Sequence, residues 1–195
     1  MDKAVFVIDC DEVIRPLIQN MVDTYNQYFE TDMTYDDVTV IDSNVSFPLL
    51  APNAREWFFQ KHGEETYLRR PPIEGAADAI RKLRKYGKVI IATYQPLPQN
   101  KIWAVEWFKK YGIEYDDVFF GADKHLLKCD YFIDDDPKYF NNATARHGIL
   151  MNSSHNQHVK LQDLKRLTDC KTLTKFKSLR QFADYFEKYA KNKNQ

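Results

Sequence analysis

Val5-Phe6-Val7-Ile8-Asp9-Cys10-Asp11-Glu12-Val13 is the stretch that decides the fold. With Ala4 it supplies five apolar residues, three of them β-branched, and then two carboxylates at alternating positions. A short unbroken apolar run of this kind reads as a strand buried on both faces of a parallel sheet. Open parallel sheets bind ligands at the carboxyl ends of their strands. The two acids therefore fall where such a fold does its chemistry. At i and i+2 they need not share a role: one can face a substrate while the other holds a metal or moves a proton.

Two later runs repeat the pattern. Val89-Ile90-Ile91-Ala92-Thr93 is a second buried strand ending in a hydroxyl, and Tyr131-Phe132-Ile133-Asp134-Asp135-Asp136 is a third ending in acids, with Lys124 ahead of it. Between and beyond them, helical spacing recurs. Leu17, Ile18, Met21, Val22, Tyr25, Tyr28 and Phe29 predict a helix over 17–29. Ala76, Ala79, Ile80 and Leu83 predict one over 75–86 ended by Gly87, and another is expected over 100–111, ended by Gly112. Val118-Phe119-Phe120 and Gly148-Ile149-Leu150-Met151 read as further strands, Pro137 as the start of a brief helix, and Ser178 as the cap of a last helix carrying Leu179, Phe182, Ala183 and Phe186. The polar tail from Lys191 is expected to fray. Strands alternating with helices give an α/β class with a doubly wound parallel sheet.

Residues 16–70 carry no alternating strand pattern. Thr34-x-x-Asp37 has the form of a capping box, residues 42–53 read as loop with Pro48 and Pro52, and Asn53 is placed to cap a helix through Trp57, Phe58 and Phe59 that ends near Gly63. The segment is expected to be a helical insertion between the first two sheet strands, giving a core of residues 1–15 and 71–195.

The order Asp-x-Asp, Thr, Lys, Asp-Asp resembles the haloacid dehalogenase-like superfamily of aspartate-nucleophile phosphatases. Lys124-His125-Leu126-Leu127-Lys128-Cys129-Asp130-Tyr131-Phe132-Ile133-Asp134-Asp135 narrows the likeness to the 5′(3′)-deoxyribonucleotidase family. The resemblance implies a Rossmann-like three-layer core with a small cap after the first strand, which is the place of the 16–70 insertion. It also implies Mg²⁺ as cofactor. A phosphate monoester dianion repels an anionic nucleophile, and its uncatalysed hydrolysis is among the slowest reactions known. Mg²⁺ binds through one or two carboxylates plus phosphate and water, and a lysine about 4 Å away adds roughly 4 kcal/mol at an effective dielectric near 20, before desolvation.

By this resemblance Asp9 is the nucleophile and Asp11 the general acid and base. Asp9, the Asp11 backbone carbonyl and Asp134 are metal ligands, with Asp135 supporting the metal or its waters. Thr93 and Lys124 bind phosphate; Lys128 is the rival lysine, but Lys124 lies ten positions before Asp134 as in the family. Aromatic side chains of the insertion are expected around a base, with Tyr25, Phe29, Phe47, Trp57 and Phe58 available; Phe47, Trp57, Tyr94 and Arg15 are the candidates for substrate contact. Several positions depart from the pattern: Leu17 where some relatives carry a stacking aromatic, Tyr94 where a small residue is common, Glu12 where many carry glycine, Arg15-Pro16 after the first motif, and Asp136 where some carry arginine.

Composition narrows the partners. The 195 residues are 44% hydrophobic and 14% aromatic, enough for one domain with an insertion, and the formal net charge is zero. A nucleic-acid polymer is not an expected partner; a small phosphate ester, a deoxynucleoside monophosphate by the resemblance, needs only a local positive site. No run approaches the roughly 20 apolar residues of a membrane span, nothing reads as a signal peptide, and three scattered cysteines fit a reducing cytoplasm without zinc spacing. Cys10 reads as a small packed residue. His147, His155 and His158 form no metal set and read as structural or exposed, and Trp103, Trp107 and Phe108 as core or homodimer contacts. Besides a nucleotidase, the alternatives are a phosphatase for another ester such as a sugar phosphate, a phosphoacceptor module and a non-catalytic nucleotide-binding protein. Receiver domains place the acidic pair first and the phosphorylated Asp on a later strand, an order that differs from this one.

Overall fold

The structure, a computed structural model, describes residues 3–193. Six strands form one all-parallel sheet: β1 Ala4–Ile8, β2 Gly87–Thr93, β3 Asp117–Phe120, β4 Tyr131–Asp134, β5 His147–Met151 and β6 Thr172–Phe176. Their spatial order is β3-β2-β1-β4-β5-β6, with the direction of winding reversing between β1 and β4. Register then assembles the site. Ile8 pairs with Ile133 and with Ile91, so Asp9 and Asp134 emerge level on neighbouring strands and Thr93 ends β2 beside them. In doubly wound sheets the ligand crevice opens at this reversal.

Among the described residues there are eight α-helices, besides shorter 3₁₀ and π turns: α1 Leu17–Phe29, α2 Ser43–Ser46, α3 Ala54–Glu56, α4 Gly63–Leu68, α5 Ala76–Arg84, α6 Pro98–Lys110, α7 Leu161–Lys165 and α8 Leu179–Lys193. Side chains alternate across the sheet. Phe6 and Ile8 face α5, α6 and α8, where Ile80, Leu83, Trp107, Phe182 and Phe186 close the core. Val7, Ala92, Phe132 and Leu150 face the other way, onto Phe140, Ala143 and Leu164. Trp107 and Phe108 are therefore core residues, 0% and 1% exposed.

Residues 17–59 build a separate apolar cluster around Met21, Val22, Tyr25, Phe47 and Phe58. The Thr34–Asp37 capping box is formed, with the Thr34 backbone N–H donating to Asp37 Oδ2 at 2.7 Å. The segment expected as loop over 42–53 instead contains α2 and a 3₁₀ turn at Pro48–Leu50. After α3 the chain widens into a π turn, Trp57–Lys61, with the His62 N–H bonded to the Trp57 carbonyl at 2.9 Å.

Three further expectations change. Gly87 does not end α5 but opens β2, where a Cβ would lie 1.9 Å from the Ala4 carbonyl oxygen; only glycine admits that approach of the two strands. β6 was not anticipated, and Lys191–Lys193 continue α8 rather than fraying. The last two tail positions, 194 and 195, lie outside the described residues. Among the described residues no helix is long and apolar enough to cross a membrane.

Candidate active site

The loop leaving β1 is tied to itself and to the sheet. The Asp9 N–H bonds the Ile133 carbonyl at 2.9 Å, and the N–H groups of Ile14 and Arg15 both bond the Cys10 carbonyl at 2.8 Å. Glu12 sits at φ 59°, a left-handed conformation unusual for a residue with a Cβ. Its carboxylate anchors it there: Oε1 accepts from the Ile18 N–H at 2.7 Å and Oε2 from the Tyr35 hydroxyl at 2.9 Å. Burial pushes this carboxyl up to about 7.

Lys124, on a 3₁₀ turn before β4, is 2% exposed and places Nζ 2.5 Å from Asp9 Oδ1 and 2.8 Å from Asp134 Oδ2. The Tyr139 ring lies beneath it at 4.0 Å. Burial disfavours the ammonium, but the two carboxylates outweigh it and hold Lys124 above its ordinary value. Asp9, Asp134 and Asp135 bring carboxylate oxygens within 4.8 Å of one another. Burial raises the carboxyls of all three, and mutual repulsion adds to the rise at Asp9 and Asp135. Three buried acids against one lysine leave a deficit of positive charge. The Asp134 oxygen facing Lys124 has no polar partner among the described residues besides that ammonium. Hard oxygen donors, net negative and converging, fit a divalent cation such as Mg²⁺. Asp135 stands inside this cluster rather than behind it.

The Asp11 side chain points elsewhere. Its Oδ1 meets Arg15 Nε at 2.8 Å, and its Oδ2 accepts from Gln95 Nε2 at 3.1 Å. Gln95 Nε2 also donates to Thr93 Oγ1 at 2.9 Å, which leaves the hydroxyl hydrogen free for another acceptor. Gln95 Oε1 in turn accepts from the Tyr67 hydroxyl. On the β4 side, His155 Nε2 lies 3.3 Å from Asp135 Oδ2, with Ser153 Oγ on its other nitrogen at 2.8 Å. Burial lowers its affinity for a proton. Asn156 ties the Asp135 and Met151 carbonyls together, both at 2.7 Å.

These groups open into a cavity of about 690 Å³. Asp9, Asp11, Thr93, Lys124 and Asp135 line it from the sheet side, and Ile18, Met21, Phe47, Arg55 and Phe59 from the insertion. Phe47 and the 43%-exposed Tyr94 are thus wall residues. Trp57 is not: it packs on Tyr28, Phe29, Phe58 and His62, and two positions along a helical turn set it roughly opposite Phe59. Arg15 neither lines the cavity nor sits at the surface; it is fully buried beneath the site. Lys128 pairs with none of the three clustered carboxylates. Gln95, Tyr67 and Tyr139 were not anticipated, whereas His155 takes the structural part expected of it. Only Gln95 had a local signal, its i+2 spacing from Thr93 at the end of an extended strand.

Comparison with known proteins agrees with this geometry. The family model described as "5′ nucleotidase, deoxy (Pyrimidine), cytosolic type C protein" matches residues 3–178. No curated protein sequence matches the chain. Among solved structures it is similar to the haloacid dehalogenase-like hydrolase SP0104 from Streptococcus pneumoniae, with TM-score 0.63 and 11% identity over 94% of this chain and 98% of that one. It is similar to the HAD-hydrolase YfnB from Bacillus subtilis, solved bound to magnesium, with TM-score 0.61 and 13% identity over 95% and 99%. The L-2-haloacid dehalogenase from Xanthobacter autotrophicus matches at TM-score 0.56 and 12% identity over 95% and 98%. At these identities the structures establish the fold, and the family model establishes the lineage. A parallel sheet reversing at β1 and β4, with acids, hydroxyl and lysine gathered at that reversal, is the haloacid dehalogenase-like fold, and the chain belongs to the cytosolic type C deoxy-5′-nucleotidase family of phosphoric monoester hydrolases.

Proposed function

We propose that the protein is a Mg²⁺-dependent phosphomonoesterase that hydrolyses deoxynucleoside monophosphates through an aspartyl-phosphate on Asp9, with the 16–70 insertion acting as a cap over the substrate. The observation that carries this reading is the mixed lining of one cavity. Asp9, Lys124 and Thr93 line it together with apolar side chains of the insertion, Ile18, Met21, Phe47 and Phe59. That combination suits an ester with a charged phosphate and a flat, largely apolar body. The volume falls within the roughly 300–1,000 Å³ usual for small-molecule sites.

Asp9, Asp134 and Asp135 would hold Mg²⁺ with the Asp11 carbonyl; when bound, the ion neutralises the phosphate and the clustered carboxylates. Lys124 fixes the Asp9 carboxylate and adds positive charge where the phosphoryl oxygens arrive. Thr93 donates its free hydroxyl hydrogen to one of those oxygens. An Asp9 oxygen attacks phosphorus, the bond to the ester oxygen breaks, and Asp11 delivers a proton to the departing alkoxide. Asp11 then takes a proton from water as that water attacks the phosphorus. The bond to Asp9 breaks, and inorganic phosphate leaves with Asp9 again a carboxylate.

Phosphate release from a panel of 5′- and 3′-(deoxy)nucleoside monophosphates and sugar phosphates, with Mg²⁺ and with chelator, tests the reading. Chelator-sensitive release favouring deoxynucleotides, lost in Asp9→Asn, is expected. Release from sugar phosphates alone would overturn the substrate and keep the chemistry, and full turnover by Asp9→Asn would overturn the nucleophile.

A further inference from the structure

Arg15 has no surface and no access to the cavity. Its relative exposure is 0%, yet it carries a full charge. Burying a guanidinium is costly unless a partner compensates it, and an apolar side chain of similar length would fill the same space without that cost. Its one ion-pair partner among the described residues is Asp11, with Nη2 at 2.6 Å and Nε at 2.8 Å from the same Oδ1. The plane of the guanidinium is fixed by aromatic rings, Tyr67 at 4.2 Å and Trp107 at 5.7 Å from its central carbon. Contacts of this kind attract a desolvated cation strongly.

The other Asp11 oxygen is held by a second device. Gln95 Nε2 donates to Oδ2 and to Thr93 Oγ1. The Tyr67 hydroxyl donates to Gln95 Oε1, which settles which end of that amide faces Asp11. Tyr67 therefore serves both arms: its ring lies against Arg15 and its hydroxyl orients Gln95. It belongs to α4, the last helix of the insertion, while Arg15 belongs to the β1 loop and Gln95 follows β2. A free aspartate samples several rotamers, and a group that must give a proton to one oxygen and take one from another gains from being held in a single place.

We infer that Arg15 is a positioning residue that fixes the Asp11 carboxylate for proton transfer to the leaving group, with Tyr67 and Gln95 completing the clamp. The inference rests on the phosphomonoesterase reading, in which Asp11 is the acid. It goes further by assigning work to three residues that touch neither phosphate nor metal.

Leaving-group dependence separates this role from a merely structural one. The quotient kcat/KM covers steps up to departure of the leaving group. An alkyl ester needs a proton at that step, whereas p-nitrophenyl phosphate expels a stable anion and does not. The variants Arg15→Met, Arg15→Lys and Tyr67→Phe are compared with the parent on a deoxynucleoside monophosphate and on p-nitrophenyl phosphate, each with Mg²⁺ and a melting curve. Arg15→Met is expected to lose at least about 10-fold in kcat/KM on the alkyl ester relative to the aryl ester, a part of the roughly 10²–10⁴ that a general acid supplies. Arg15→Lys keeps the buried charge but not the planar fork and is expected to show the same differential, which covers the case where the methionine variant does not fold. Tyr67→Phe keeps the ring and removes the hydroxyl, and is expected to show a smaller differential of the same sign. Equal losses on both esters, or no loss on either, would overturn the clamp. A parent protein that releases phosphate from no ester would overturn the phosphatase reading, and the clamp with it.

Discussion

Replacing Glu12 with glutamine removes a buried charge from the wall between the β1 loop and the insertion. The carboxyl is 9% exposed and is pushed by burial from the ordinary 4.5 to about 7, against the opposing pull of its bonds from Ile18 and Tyr35. Its folded value lies above its unfolded one. The stabilisation is therefore complete below about pH 4.5 and is lost as pH rises through 7, because the folded state must release a proton the unfolded chain has already given up. At 1.36 kcal/mol per pKa unit the whole loss is about 3 kcal/mol, of which about 2.5 kcal/mol falls between pH 5 and pH 8. Glutamine keeps an acceptor oxygen and cannot ionise. The parent should therefore lose about 2.5 kcal/mol more than Glu12→Gln between those pH values, or about 5–10 °C in Tm for a chain of this size. Melting both proteins at pH 5 and pH 8 in chelator provides the measurement; Asp9 and Asp134 titrate in the same direction in both, and Asp135, whose carboxyl the Glu12 charge also raises, adds to the difference with the same sign. Parallel pH profiles would refute the assignment of a raised, uncompensated carboxyl at Glu12.

Lys124→Met removes about 4 kcal/mol of attraction to the clustered acids and phosphate, so phosphate release should fall by roughly 10³-fold; less than a tenfold fall in steady-state assays would count against its placement. Mg²⁺ at about 100 times its Kd should raise stability by about 2.7 kcal/mol, an effect that Asp134→Asn should abolish in a thermal-shift titration. Gly87→Ala forces a Cβ to 1.9 Å from the Ala4 carbonyl and should cost about 3 kcal/mol or more, read as Tm or loss of soluble protein. Tyr94→Ala at the cavity wall should raise KM several-fold while leaving stability within about 0.5 kcal/mol, as expected for an exposed side chain.

Much of this molecule was legible because its decisive signals are local. An apolar run long enough only for a buried strand, closed by acids, marks β1 and β4 directly, and Lys124 follows from its spacing to Asp134. β6 escaped notice because its exposure alternates along a half-solvated edge and its sequence, Thr-Leu-Thr-Lys-Phe, carries only two apolar residues. Trp57 differs from expectation because an aromatic in the insertion carries no local sign of which face it takes; its partners Tyr28 and Phe29 come from α1, far back along the chain. Arg15 read as a substrate contact because a buried arginine is defined by its partners. Tyr67 and Trp107, which lie against it, come from helices far along the chain. Gly87 shows the same limit from the other side: a glycine after a helix looks like a cap until the neighbouring strand is in place.

The reversal of strand order between β1 and β4 carries a kinetic consequence. Asp9 and Lys124 are separated by 115 residues, and the contact between them spans most of the chain. Long-range pairing of this kind closes late, because loop entropy opposes it until neighbouring elements are docked. During synthesis the Asp9 strand emerges first and stays without its β4 neighbour until the segment bearing Lys124 and Asp134 has followed. The clustered acids and Lys124 therefore cannot come together until residue 135 has been made, and an ion that binds only their assembled arrangement would draw folding toward it. Under the proposed Mg²⁺ dependence, acquisition of the ion would act as a clock for the docking of β4 against β1, expected in refolding experiments as a phase whose amplitude depends on the ion.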